Sequence, residues 1–529
     1  MMCMLSRLAL VLLVASVVFF DLPFWLSPNL QEQGDLAANA LQVERAREFH
    51  ELLGPYSQHR FHHPGPVSFY YFALAQTLLG FLPSILARYM LAQFGLNLLC
   101  LAGILRLLRK SGLEPPLVAA GGFLLAGQMV WLGGGSVLMM ANVWGPVLAA
   151  FPVVLFVASA SRLTDGDLTW LPVSVLAATL AIHNHLPSST ALWAAVVTAA
   201  ILVGMGRRRI EWSPTGTRRW ALLAVSLVLL VLAILPPVVE QAKNDPGNLT
   251  LLWRYFSTHG PELHPWSEVI HKLGLALTDP LVVLGSWTGW KLHSPFIVLF
   301  VLVFLLAVSI VQMRRSDHPW RMVILFTWVV LAATVVTARF VPGNLHTYLF
   351  YYLYGLVGLL QLFVAKEVFD RWITHRLSPR LKENSVHVVI LAGVLFFLPW
   401  MFFHTSDPPL PVDHHRDIVT HFHLEDVREI HLFVDKATEK SGVWNALPTL
   451  ALRFRRDGVR PTVPVDYVFL CGEEMRPDMD VHPLTLVITR RRPPGPDERY
   501  LPGERWGYFL LKPEDGSPAA FLADLPWMD

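Results

Sequence analysis

Eleven apolar runs divide this chain. Each approaches the ~20 residues that a helix, rising 1.5 Å per residue, needs to cross a bilayer. They lie at 8–27, 85–106, 116–134, 144–161, 169–186, 189–205, 220–238, 294–312, 320–338, 346–364 and 386–404. In lipid, every backbone N–H and C=O must be paired within the chain, so runs of this length fold as helices and pack into a bundle. Charge is correspondingly scarce: 16% of the 529 residues are charged, against roughly 25% in a soluble domain. That excludes both an ordinary soluble enzyme and a disordered chain. The formal net charge of +2 gives no electrostatic case for nucleic acid as a partner. Cys3 and Cys100 sit in apolar stretches and only Cys471 in a polar one, which argues against a disulfide framework. No CxxC, Walker or GxGxxG motif supports a soluble nucleotide site.

The first run has the charge and apolar character of a signal peptide. Asp21, Pro23, Phe24 and Trp25 stand where small residues would mark cleavage, so the expectation is an uncleaved span. Lys and Arg set the orientation. With the N-terminus cytoplasmic, the inside segments hold Arg106, Arg109 and Lys110, then Arg162, Arg207 to Arg209, Arg314 and Arg315, and Lys366 to Lys382. The short outside loops at 134–143 and 184–188 carry no Lys or Arg. Eleven spans then put the C-terminus outside. The chain divides into a membrane part, 1–404, with long outside loops at 28–84 and 239–293, and a polar, proline-rich part, 405–529. In the second part, β-like runs at Glu429–Asp435, Tyr467–Cys471, Leu484–Thr489 and Gly507–Leu511, with a helical stretch at 443–457, predict a small α/β domain. No internal repeat of the kind many transporters show is visible.

The first long outside loop carries the most chemistry. Asp35 opens an amphipathic stretch to Leu53, where it is placed either to cap the helix or to face a cavity. GPYSQHRFHHPGP (54–66) follows and leads into an aromatic segment, 67–82, suited to the membrane interface. HNHLPSS (183–189) lies at the outer end of the fifth span, and ILPPVVEQAKNDPGNL (234–249) leads into the second long loop.

These strings and this topology resemble bacterial GT-C glycosyltransferases, the group that includes protein O-mannosyltransferases and aminoarabinose transferases. The resemblance covers about residues 8–404. It implies an α-helical polytopic bundle of about 11 transmembrane helices in a bacterial plasma (inner) membrane, with the small C-terminal α/β domain outside. It implies an inverting transfer of a hexose or pentose from a polyprenyl-phosphate donor to a glycan, lipid or protein acceptor. Asp35 matches the general base of that family. Its members usually carry an acid pair beginning DE, whereas here Leu36 follows Asp35 and the nearest other acid is Glu32.

Other residues have both a chemical and a plain structural reading. His62 and His63 either meet the donor phosphate or shape the turn. His183, Asn184 and His185 either line a polar cavity or solvate a helix end. Glu240, at the start of the second loop, either contacts sugar, acceptor or a divalent cation, or is a solvated acid. Arg339 is a cation on the outer side, against the local charge bias. Guanidinium binds phosphate bidentately, and Arg339 and His346 match the basic position that faces lipid phosphate in the family; snorkelling to headgroups is the alternative. The histidines of 413–423 allow a metal site, and no metal is assigned. Two rival functions stand beside this one: a flippase for a lipid-linked sugar, which would share the polar cavity and the phosphate-binding Arg, and a non-catalytic subunit of envelope assembly, in which the outer domain would matter instead.

Overall fold

The computed structural model describes residues 15, 22–23, 25–131, 140–204, 212–258, 263–275, 295–373, 414–435, 445–477, 484–493, 497–503, 507–515, 517–523 and 525. Nine of the eleven apolar runs fall on described helices. The run at 8–27 lies largely, and that at 386–404 wholly, outside the described residues.

Two helices precede the bundle. α1 (Asp35–Arg47) buries Ala37, Ala38, Leu41 and Val43, and α2 (Val67–Leu78) enters through Pro66. The bundle follows: α3 (Ile85–Lys110), α4 (Pro115–Trp131), α5 (Gly145–Leu148) and α6 (Ala150–Leu163), then α7 (Leu171–Asn184) and α8 (Ser188–Gly204). α9 (Gly216–Lys243) and the short amphipathic α10 (Asn248–Thr258) come next. α11 (Pro295–Arg315), α12 (His318–Ala338) and α13 (Tyr354–Val368) complete the described bundle. Six of these segments are long and apolar enough to cross a membrane. The span formed by α5 and α6 is 89% buried, whereas the apolar windows of α9 and α11 are each 17% buried. The former is the centre of the bundle; the latter turn leucine, valine and phenylalanine outward, as lipid contact requires.

The ends expected on the inside are tied together. Arg162 is 3.0 Å from Asp165, Lys110 is 3.6 Å from Asp167, and His318 pairs with Asp165. These contacts join the end of α3, the end of α6 and the start of α12.

Three local expectations are corrected. α1 stops at Arg47 rather than Leu53. The chain turns at Phe49 (φ 60°), and the Glu51 carboxylate accepts from the N–H groups of Leu52 and Leu53. Glu240 is not at the start of a loop: α9 runs through Pro236-Pro237 to Lys243. Two prolines remove two helix donors, but the residues beyond them resume the ladder and carry Glu240 in the last turn. Tyr467–Cys471 is helical (α16, Val468–Cys471), not a strand. A short, wholly apolar run does not distinguish a buried strand from a buried helix by period.

The C-terminal part holds a five-stranded sheet in the order β2-β1-β3-β5-β4. β1 (Glu429–Val434) pairs in parallel with β2 (Arg460–Thr462) and β3 (Thr485–Thr489), while β5 (Gly507–Leu511) runs antiparallel to β3 and to β4 (Tyr500–Leu501). β2 and β4, at three and two residues, are too short to show a periodic signal. α14 (His414–Phe422) precedes the sheet, and α15 (Ala446–Arg456) crosses from β1 to β2 and packs on α1. Arg456 carries that junction. It donates to both oxygens of Glu32 at 2.9 and 3.0 Å and to Glu44 at 2.9 Å, while Arg453 stands 3.6 Å from Glu32.

Glu32 is only 2% exposed, so its charge depends on that pairing. Removing one partner of a buried ion pair costs 3–5 kcal/mol; because Arg453 remains, Arg456→Ala is expected near the low end, about 3 kcal/mol. Denaturant unfolding of the detergent-solubilised protein measures it, and a loss below ~1 kcal/mol would show that the junction is held by apolar packing instead.

Candidate functional site

A cavity of about 1140 Å³ opens where α1, the loop after it, the start of α5, the end of α7, α10 and the segment before α13 converge. Asp35 lines it. The N-cap of α1 is Gly34, whose φ of 53° suits a residue without Cβ, and no side chain caps the helix. The Asp35 carboxylate is used elsewhere. Oδ1 accepts a short hydrogen bond from the Tyr56 hydroxyl, and Oδ2 accepts from Trp144 Nε1 at 2.8 Å. Each oxygen has one protein donor and keeps a second lone pair. Burial, and then the Asp35 charge, push the Tyr56 phenol far above its ordinary range, so it stays protonated and donating. Indole N–H is a donor only.

Tyr56 belongs to a tight loop. Gly54 N–H donates to His63 O at 3.0 Å, His63 N–H to Pro55 O at 2.8 Å and Ser57 N–H to Phe61 O at 2.8 Å. At Gly54 a Cβ would stand 2.7 Å from His63 O and 2.9 Å from His183 O, so only glycine lets these strands of chain approach. Gly145 is similar, with a Cβ there 2.6 Å from Asn184 O. The three strings that carried the family resemblance meet at this point. His62 N–H donates to Asn248 Oδ1 at 2.7 Å, and Asn248 Nδ2 returns a bond to His62 O at 2.9 Å. Glu240 accepts from Asn248 N at 2.8 Å and from Asn244 Nδ2 at 3.0 Å. Asn184 Oδ1 accepts from Ser68 Oγ at 2.6 Å, and the His183 ring lies against Gly65.

The named residues therefore separate into two sets. Asp35, His63, Asn184, His185 and His346 line the cavity; His62, His183, Glu240 and Arg339 are not among its lining residues. His62 spends its Nδ1 on Gly54 O at 3.0 Å, and burial holds the ring down at about 4. Glu240 locks the start of α10. Arg339 lies over the Trp266 ring, 4.6 Å from its centroid, and its carbonyl accepts from His264 N–H. His63 is different. Its Nδ1 accepts from Leu186 N–H at 2.9 Å, which leaves Nε2 as the protonated nitrogen; burial and then the neighbouring His185 and His62 hold it neutral, at about 3. His346 stacks on Tyr348 with ring centroids 5.4 Å apart, and His185 meets Leu349 O at 3.1 Å.

Among the described residues no group of three or more His, Cys, Asp or Glu is arranged to hold a metal ion. In α14, His415 stands against the Phe454 ring and 3.6 Å from Asp457. Sequence reasoning missed Trp144, which lies 109 residues from Asp35, and Asn39, which lines the cavity one turn along α1. It quoted Tyr56 without giving it a role.

No family model matches the sequence, and no curated protein does. Solved structures do. The crystal structure of ArnT from Cupriavidus metallidurans bound to undecaprenyl phosphate superposes with a TM-score of 0.52 at 12% identity, covering 96% of this chain and 97% of that one. The same protein in its apo state gives 0.51 at 13%, covering 96% and 99%. The chain shares the fold of these ArnT structures. In this fold the cavity lies between α1, the loop after it and one end of the bundle.

His62 also sets a pH response. Its folded value of about 4 lies below an unfolded value near 6.5, so the unfolded chain binds the proton first as pH falls. Its contribution is fully present above pH ~6.5 and is lost progressively toward pH ~4, by up to about 1.4 kcal/mol per pH. Thermal unfolding followed from pH 7.5 to 4.5 should show that decline, and His62→Gln should make it shallower. An unchanged slope in the variant would assign the acid sensitivity to other groups.

Proposed function

We propose that this chain transfers a monosaccharide from a polyprenyl-phosphate donor to an acceptor hydroxyl, with Asp35 as general base. The observation that carries the reading is the Asp35 carboxylate itself. It faces a cavity large enough for a sugar and part of an acceptor, and two donors orient it from behind. ArnT, whose solved complex holds undecaprenyl phosphate, supports a lipid-linked donor by its fold.

The step is one in-line displacement. The acceptor oxygen forms a bond to the anomeric carbon while that carbon's bond to the phosphate oxygen breaks. The acceptor proton passes to a free lone pair of Asp35, and polyprenyl phosphate leaves with the bonding electrons. The configuration at the sugar carbon inverts. Tyr56 and Trp144 hold the carboxylate toward the acceptor without competing for its proton. Neutral His63 offers an Nε2–H, and His346 a ring nitrogen, to the donor phosphate. Arg339 is the further cation for that phosphate, reached by leaving Trp266. Asn184 and His185 contact sugar hydroxyls, and Glu240 and His183 support the wall behind them. Asp466 and Phe469, from the C-terminal part, also line the cavity, and in this reading the glycan, lipid or protein acceptor enters from that side. The same reading proposes eleven spans, a division at 404/405, a cytoplasmic N-terminus and an outside C-terminal domain in a bacterial inner membrane.

Asp35→Asn is nearly isosteric. The amide oxygen can still accept from Trp144 while the NH2 donates to the Tyr56 oxygen, so donor binding should survive. Transfer should fall by about 10²–10⁴-fold, the span of a lost general base. Native mass spectrometry of the variant reports retained polyprenyl-phosphoryl sugar, and product formation reports transfer. Wild-type rates in the variant would overturn Asp35 as the base, whereas no transfer by the wild-type protein itself would favour a flippase or a non-catalytic assembly subunit.

A further inference from the structure

The residues that set Asp35 in place lean on the C-terminal part of the chain. The first contact is through the main chain. Gly34, immediately before Asp35, donates its N–H to Thr449 Oγ1 at 3.0 Å, and that hydroxyl donates to Asn445 O at 2.8 Å. A Cβ on Gly34 would stand 2.5 Å from Asn445 Oδ1, so α15 abuts the bare backbone at the start of α1. Glu32 and Glu44, on either side, are clamped by Arg456. The second contact is through Tyr56. Its ring meets Phe469 of α16 edge-on, with centroids 6.2 Å apart, and its hydroxyl holds Asp35 Oδ1.

We propose that Thr449 and Phe469 are positioning residues for the Asp35 carboxylate, so that the C-terminal sheet unit sets the geometry of the site as well as covering it. The proposal rests on Asp35 being the base. The Gly34–Thr449 bond fixes the Gln33–Gly34 peptide, one residue before Asp35, and so restrains the start of the helix that carries the Asp35 side chain. Phe469 closes the space into which the Tyr56 ring would swing. Asp35 then faces Tyr56 from the loop, Trp144 from the residue before α5 and, electrostatically, Tyr348 from the segment before α13, with two of its restraints referred to the sheet unit. Misplacement of a reacting group by about 1 Å costs on the order of 10²-fold in rate, so a small relaxation at either point has a measurable effect.

The test uses the full-length protein in detergent, labelled with ¹⁵N-tryptophan. The Trp144 indole resonance is assigned by its loss in Trp144→Phe. Its position reports the bond to Asp35, and Asp35→Asn marks where it lies when the carboxylate is gone. Thr449→Val and Phe469→Leu should each move the resonance toward the Asp35→Asn position, while Thr449→Ser, which keeps the acceptor oxygen, should stay with wild type. With a panel of synthetic undecaprenyl-phosphate-linked hexoses and pentoses, both shifted variants should lose about tenfold in kcat with donor KM within about twofold. If Thr449→Val and Phe469→Leu leave the resonance at the wild-type position, the proposal is overturned; equal displacement in Thr449→Ser overturns it for Thr449. If Asp35→Asn turns over the panel at the wild-type rate, the base assignment fails separately, and the resonance still decides the positioning.

Discussion

A carboxylate works as a base at a crowded site only if its donors hold it without taking its place as acid. Asp35 meets that condition with two groups that hold their protons firmly, the Tyr56 phenol and the Trp144 indole, one on each oxygen. Much else in the structure serves to bring those two groups to one point. Tyr56 comes from a loop closed by backbone bonds between Gly54 and His63, and Trp144 from the residue before a short helix that interrupts a span. The close approaches at Gly54 and Gly145 let the two backbones share the small volume beside Asn184.

Behind that point lies a second layer in which polar residues are spent on each other. Asn248 and His62 exchange two hydrogen bonds, and Glu240 caps the Asn248 amide. Buried polar groups this close to lipid are costly unless paired, and fully paired they stiffen the wall they belong to. The aromatic wall of His59, Phe61 and Tyr255 stands on this layer, with His59 and Tyr255 stacked at 4.5 Å.

The apolar runs made the bundle legible because lipid leaves a chain few alternatives: nine runs coincide with described helices to within a few residues. That Asp35 faces a cavity was legible through the resemblance, since an acid on the helix after the first apolar run is a positional feature. The roles of His62 and Glu240 were not. Both stood in the right strings, and sequence cannot tell a polar side chain that faces a cavity from one that faces another polar side chain. Trp144 was invisible for a different reason. An indole beside Gly145-Pro146 at a membrane boundary is ordinary, and only the folded chain brings it within 2.8 Å of a carboxylate 109 residues away. The strand expected at Tyr467–Cys471 failed because five apolar residues carry too little period to choose between helix and strand.

The Gly34–Thr449 bond joins residues 415 positions apart. Synthesis at roughly 5–20 residues per second separates their emergence by about 20–80 s. During that interval the bundle can insert while Glu32 and Glu44 remain in water, still without Arg456. The site therefore matures in a fixed order: the preceding membrane part is laid down first, and the Asp35 helix receives these restraints only when α15 emerges. A nascent chain whose bundle has inserted before α15 emerges has most of its cavity walls before the Asp35 carboxylate has all of its restraints.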